Sequence, residues 1–134
     1  MASRQAEPTW LTRVVIDSIH TDVIREHGGL LGLRDDNGLE SALSRARHKW
    51  LYDRTADLAE LAAAYAFGVA RNHPYNDGNK RIALLAMLTF LAINGQDVDG
   101  DDDDVLTTML ALAAGRLKEA ELAAWLRARM VPMK

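Results

Sequence analysis

The residue types that could do chemistry are concentrated in one stretch, from His73 to Arg81. His73 precedes a proline, which disfavours helical backbone before it and so indicates a turn that presents the imidazole. Asp77 can hold a hard cation, and the Gly78 that follows allows a ligand to approach the backbone closely. Lys80 and Arg81 add positive charge. The stretch therefore predicts a phosphate-handling site with a base beside it.

Two helices must position this stretch. A capping pattern at Asp57 and Glu60 predicts a helix that ends near Asn72. Residues 82–93 are apolar at every position except Thr89, which predicts a second helix, buried at the centre of the fold. The first N–H groups of that helix have no partner within it, and the helix dipole favours anions there. We expect the base to stand beside this amino end.

Together these parts indicate transfer of a phosphorus group from a nucleotide to a hydroxyl. His73 is neutral for much of the time near pH 7 and can accept the hydroxyl proton. Asp77 would repel phosphate unless a cation such as Mg²⁺ lay between them. Asn79 would donate to a phosphate oxygen. The alternative is an ordinary turn between core helices, which suits any one of these residues alone but not all of them adjacent.

Helical periodicity and capping predict four further helices, over residues 11–26, 36–48, 105–114 and 118–130. Residues 96–100 are expected to form a short excursion between helices.

The reactive stretch resembles the signature of the Fic/Doc family, His-Pro-Phe-x-Asp/Glu-Gly-Asn-Gly/Lys-Arg, with Tyr75 in place of the phenylalanine. Residues 32–43 resemble the Gly-x-Arg-Asp…Leu-x-Ser-Ala-Leu stretch of death-on-curing (Doc) toxins, and residues 113–126 resemble their closing helix. The resemblance implies an all-α fold, a compact six-helix bundle around a buried central helix. It also implies a single Fic/Doc domain over residues 1–134, in which we expect residues 1–9 to be a frayed terminus.

The resemblance implies a role for each residue of the signature. His73 would be the general base, Asp77 the Mg²⁺ ligand, and Pro74 and Tyr75 structural. ATP would be the co-substrate. Its phosphates would be bound by Gly78, Asn79, Lys80 and Arg81.

Lys80 separates two activities. Family members with glycine at this position resemble adenylyltransferases, whereas Doc proteins carry lysine and are protein kinases. The resemblance thus implies a toxin that transfers the γ-phosphoryl of ATP to a Ser/Thr hydroxyl of a translation factor, with elongation factor Tu as the expected target, and so halts translation. The alternatives are an adenylyltransferase on the same scaffold and a catalytically inactive helical module that binds an antitoxin. A separate, Phd-like antitoxin is expected to supply the inhibitory segment in trans.

The family also uses a flap to hold the target segment beside the signature. We place it near residues 49–55, with Trp50 and Tyr52 as candidates for positioning the target. The alternative is that both aromatic side chains cover the core.

Composition sets the remaining limits. A chain of 134 residues, 49% of them hydrophobic, suits one compact domain. A net charge of −3 gives no general attraction to nucleic acid, and the absence of cysteine excludes disulfides and thiolate catalysis. With no signal segment and no apolar run of bilayer length, we expect a cytoplasmic location without membrane contact. Three further histidines lack metal-ligand spacing and are expected at the surface or in local hydrogen bonds: His20, His27 and His48.

Overall fold

The computed structural model describes residues 6–134, and within them six α-helices and two short strands. The elements are α1 (Arg13–His27), α2 (Asp36–Tyr52), α3 (Leu58–Asn72), α4 (Asn79–Ile93), β1 (Gln96–Val98), α5 (Asp102–Ala113), α6 (Glu119–Arg129) and β2 (Met130–Pro132). The predicted all-α class is confirmed. None of the helices in the described range combines the length and apolar character that a membrane span requires.

The core is centred on α3, whose alanine-rich sequence is buried on nearly every side and contacts α2, α4, α5 and α6. Its small side chains let α2 approach closely: a Cβ added to Gly68 would lie 3.0 Å from the Cα of Ala42. α4 is buried on one face, while Leu85 and Ile93 on it are 39% and 44% exposed. A buried helix at the centre of the fold is therefore confirmed. This helix is α3, however, and not the helix over residues 82–93 for which the sequence predicted the position.

The segment before α1 is held against the end of α4. The Thr9 N–H donates to Asn94 Oδ1 at 2.8 Å, and Asn94 Nδ2 donates to the Thr9 carbonyl at 2.9 Å. Pro8 is buried. Of the predicted frayed terminus, residues 1–5 lie outside the described part of the chain, whereas Pro8 and Thr9 make these defined contacts. All six helices contribute side chains to one hydrophobic core; the single-domain organisation stays a prediction.

Two local expectations differ from the structure. Residues 96–98 of the expected excursion form β1, which pairs antiparallel with β2 after α6. Residues 49–52 of the expected flap are the last turn of α2, and the chain then passes through a short turn into α3. The expectation failed because residues 49–52 contain no glycine or proline to end the helix, so α2 continues to Tyr52 and the Asp53 N–H still bonds to the Lys49 carbonyl at 2.9 Å.

Candidate active site

The reactive residues lie in the loop between α3 and α4, residues 73–78, here called the signature loop, and in the first turn of α4, which follows it. It runs beside the loop between α1 and α2, residues 28–35, here called the α1–α2 loop. An isolated β-bridge joins Leu33 to Tyr75, and the Asn76 N–H donates to the Gly32 carbonyl at 3.0 Å. The α1–α2 loop is therefore the segment that fixes the backbone beside the reactive residues.

A cleft of about 580 Å³ opens at this junction. One wall carries Val23 and His27 of α1 with Gly28 and Gly29 of the α1–α2 loop. The other wall brings together all of the residues that the sequence predicts for catalysis, metal binding and phosphate binding: His73, Asp77, Gly78, Asn79, Lys80 and Arg81. His73 is exposed, as predicted for a ring presented on a turn.

The amino end of α4 lacks a side-chain cap. Gly78 precedes it in the left-handed conformation, with φ +82°, and the first bond within the helix runs from the Ile82 N–H to the Gly78 carbonyl at 2.9 Å. The N–H groups of Asn79, Lys80 and Arg81 thus have no partner within the helix. These are the unpaired donors, at the positive end of the helix dipole, that bind anions in proteins.

Two cations flank this amino end. Lys80 and Arg81 are exposed, and neither forms an ion pair with any carboxylate in residues 6–134. Their charge is therefore available to a ligand in the cleft. Phosphate oxygens suit it, because guanidinium and ammonium groups make their strongest hydrogen bonds to such anions.

The side chain of Asn79 is turned toward the signature loop. It is buried, accepts the Tyr75 N–H through Oδ1 at 3.0 Å and donates from Nδ2 to the Tyr75 carbonyl at 2.8 Å. Both ends of the amide therefore clamp the loop backbone. We had expected this amide to donate to phosphate; in the structure, the donor that Asn79 offers at the start of α4 is its backbone N–H.

Asp77 fits the part of a single metal-binding carboxylate. Its Oδ2 accepts the Leu30 N–H at 2.7 Å, and its Oδ1 has no hydrogen-bond donor within the described chain. That chain contains no cluster of three or more histidine and acidic side chains that could enclose a cation. A protein-only cage is therefore not formed here. One carboxylate beside a phosphate seat instead suits Mg²⁺, which usually takes its remaining ligands from phosphates and water.

A polar cluster that the sequence did not reveal lies beneath the signature loop. The Tyr75 hydroxyl donates to Asp17 Oδ1 at 2.7 Å, and the Tyr75 ring stacks on His20 with centroids 4.1 Å apart. Burial, reinforced by the bond to Asp17, raises the pKa of Tyr75. Burial lowers the pKa of His20, although the Asp17 charge acts in the opposite direction. Neutral His20 is thus available to accept the Gly32 N–H, at 3.4 Å.

The two aromatic residues proposed for a flap lie away from the cleft. Trp50 is buried, with its ring edge-on to Trp10 at 6.3 Å, and Tyr52 is 87% exposed at the end of α2. Neither lines the cleft. The alternative, that both aromatics cover the core, thus fits Trp50 but not Tyr52. Of the two places expected for His20, the surface or a hydrogen bond, the structure shows the second, because His20 is buried against Tyr75 and accepts the Gly32 N–H.

Comparison with known proteins agrees with this geometry. Residues 10–91 match the model of the Fic/DOC family. A protein named protein kinase doc, from Escherichia phage P1, is 34% identical over 110 residues, which cover 82% of this chain and 86% of the phage protein. A protein named toxin Doc, from Mycolicibacterium smegmatis, is 42% identical over 77 residues, 57% of this chain and 59% of that protein. The chain belongs to the Fic/Doc family.

Proposed function

We propose that this protein is a toxin of a toxin-antitoxin system that phosphorylates a Ser/Thr hydroxyl of a translation factor, with ATP as the phosphoryl donor. The observation that carries the proposal is the uncapped amino end of α4, which shares one cleft with an exposed imidazole, a carboxylate and two unpaired cations. The relatives named protein kinase doc and toxin Doc support the kinase and toxin parts.

The proposed reaction is an in-line displacement at the γ-phosphorus. The acceptor hydroxyl gives its proton to His73 as its oxygen bonds to the γ-phosphorus. The bond from that phosphorus to the oxygen bridging the β and γ positions breaks, and ADP leaves with the electron pair. The N–H groups at the start of α4, with Lys80 and Arg81, stabilise the phosphate charge.

Asp77 would hold Mg²⁺ through Oδ1. The ion, when bound, neutralises phosphate charge, as divalent cations do in phosphoryl transfer. The protein holds this carboxylate in a fixed position. The Leu30 N–H donates to it, and Gly29 packs so closely against it that a Cβ at Gly29 would lie 3.0 Å from the Cβ of Asp77.

We take elongation factor Tu as the target and a Phd-like antitoxin, acting in trans, as the inhibitor, on the basis of the resemblance to Doc toxins. With ATP as the donor and this target, we propose that the protein acts in the cytoplasm.

The test is intact mass spectrometry of elongation factor Tu after incubation with the protein, Mg²⁺ and ATP. A phosphate-sized gain is expected. His73→Ala should lower the rate by about 10²–10⁴-fold, the usual contribution of a general base. His48→Ala, which removes an exposed histidine outside the cleft, should leave it unchanged. A mass gain of the size of an adenylate would establish adenylyl transfer instead. No mass gain at any enzyme concentration would favour the alternative that the protein is a catalytically inactive module that binds an antitoxin.

Lys80 is the residue on which the choice of phosphoryl over adenylyl transfer depends. A lysine in the first turn of α4 adds charge where the phosphates would lie, and we infer that it turns the γ-phosphorus toward the acceptor. Incubation with γ-labelled and α-labelled ATP in parallel tests this. If the parent enzyme labels the target protein from α-labelled ATP only, the proposed kinase activity is rejected.

A further inference from the structure

The backbone of His73 is held in an unusual conformation. Among residues 6–134 it is the one non-glycine residue with positive φ, at φ +46° and ψ +56°. A residue with a side chain is strained in the left-handed conformation, at a cost in free energy, and the conformation persists only where the surroundings hold it. The following Pro74 adds to the cost because it favours an extended residue before it. Something nearby must therefore stabilise this conformation.

Arg34, in the α1–α2 loop, makes the contacts that do so. Its Nε donates to the His73 carbonyl at 2.9 Å, and its Nη2 donates to the Asn72 carbonyl at 3.1 Å. Its backbone N–H and that of Asp35 both donate to the Pro74 carbonyl, at 2.8 and 2.9 Å. The planar guanidinium thus bridges two successive carbonyls while the backbone of the same residue holds a third.

These carbonyls belong to the carboxyl end of α3, where C=O groups lack partners within the helix and the dipole is negative. Within the described chain Arg34 forms no ion pair with a carboxylate, so its charge acts on this helix end. Arg34 does not line the cleft. Any effect on the reaction must therefore pass through the residues that it holds.

We propose that Arg34 is a positioning residue that fixes His73 in its left-handed conformation, so that the imidazole faces the cleft. The proposal rests on the proposed role of His73 as the base. Without the guanidinium, His73 would relax toward the extended backbone that Pro74 favours, and the direction of its Cα–Cβ bond would change. The backbone N–H groups at the start of α4, which would bind the phosphates, would be unaffected, because Arg34 forms no hydrogen bond with α4.

The test compares Arg34→Met with the parent in phosphoryl transfer to elongation factor Tu. Displacement of a reacting group by about 1 Å can cost about 10²-fold, so we expect kcat to fall by about 10–100-fold. The KM for ATP should change less than about 2-fold, because the phosphate-binding groups at the amino end of α4 are intact. Arg34→Lys should recover part of kcat, since an ammonium can serve one of the two carbonyls. Arg54→Met, at an exposed arginine outside the cleft, is the matched control and should behave as the parent.

Two results would overturn the inference. One is a parent-like kcat in folded Arg34→Met, whatever its KM. The other, if urea denaturation shows that Arg34→Met does not fold, is a parent-like kcat in Arg34→Lys. His73→Ala, assayed in parallel, separates the two proposals. Parent-like activity in His73→Ala would refute the proposed function in its assignment of His73 as the base. An inactive His73→Ala beside a fully active Arg34→Met would refute only the role of Arg34.

Discussion

Replacement of Tyr75 by phenylalanine tests how the signature loop is fixed to α1. The change removes one hydroxyl, which donates to Asp17 Oδ1 at 2.7 Å, and keeps the ring that stacks on His20. A hydrogen bond to a charged group contributes about 1.5–3 kcal/mol. Asp17 is 48% exposed and retains Arg13 at 3.2 Å, so water can replace the lost donor and the lower end applies. We expect the free energy of unfolding to fall by about 1.5 kcal/mol.

Urea denaturation of the parent, Tyr75→Phe, Asp17→Ala and the double variant measures this quantity. The two single changes should be coupled by about 1 kcal/mol, because each removes the same hydrogen bond. Tyr52→Phe is the matched control, since Tyr52 is 87% exposed, and it should stay within about 0.5 kcal/mol of the parent. A Tyr75→Phe protein as stable as the parent, or additive effects of the two changes, would show that the hydroxyl does not hold the loop.

Three further outcomes are expected. Gly78→Ala should lower the free energy of unfolding by about 1–2 kcal/mol, because φ at Gly78 is +82° and the added Cβ would lie 3.0 Å from Val23 Cγ1. Thermal or urea unfolding measures this, and an unchanged midpoint would contradict it. The lowered pKa of His20 means that the unfolded chain takes up its proton first, so stability is lost as pH falls from about 6.5 through the folded pKa. Urea denaturation at pH 7.5 and 5.5 should show a smaller acid-induced loss in His20→Gln than in the parent or in His48→Gln, and equal losses would refute it. Asp77→Asn should lower the rate of phosphoryl transfer by at least about 10-fold and weaken its dependence on Mg²⁺, since a neutral amide is a poorer ligand for a hard cation. An unaltered Mg²⁺ titration would argue against Asp77 as the Mg²⁺ ligand.

The helices and their starts could be predicted because their signals are local. Asp57 was expected to cap α3, and its side chain accepts the Glu60 N–H at 2.9 Å. The six predicted residues that line the cleft could be named for the same reason: they fall within nine consecutive positions, and the helices on both sides were recognisable. All six line one cleft because they occupy a single loop and the helix turn that follows it.

The supports of the site could not be predicted, because they come from distant parts of the chain. Arg34 is 39 positions from His73, and Asp17 is 58 positions from Tyr75. The one available signal was the tyrosine in place of the family's phenylalanine, since a buried phenol needs a partner. The direction of the Asn79 side chain was equally hidden, because nothing local decides whether an amide at a helix start faces a ligand or the loop before it.

Gly68 of α3 lies against Ala42 of α2, so the two helices pack closely side by side. Arg34 lies just before the amino end of α2, and His73 follows the carboxyl end of α3. A methyl group added at Gly68 would meet Ala42 and push the two helices apart at this contact. A Gly68→Ala variant should therefore disturb the geometry of the cleft although every residue that lines the cleft is unchanged.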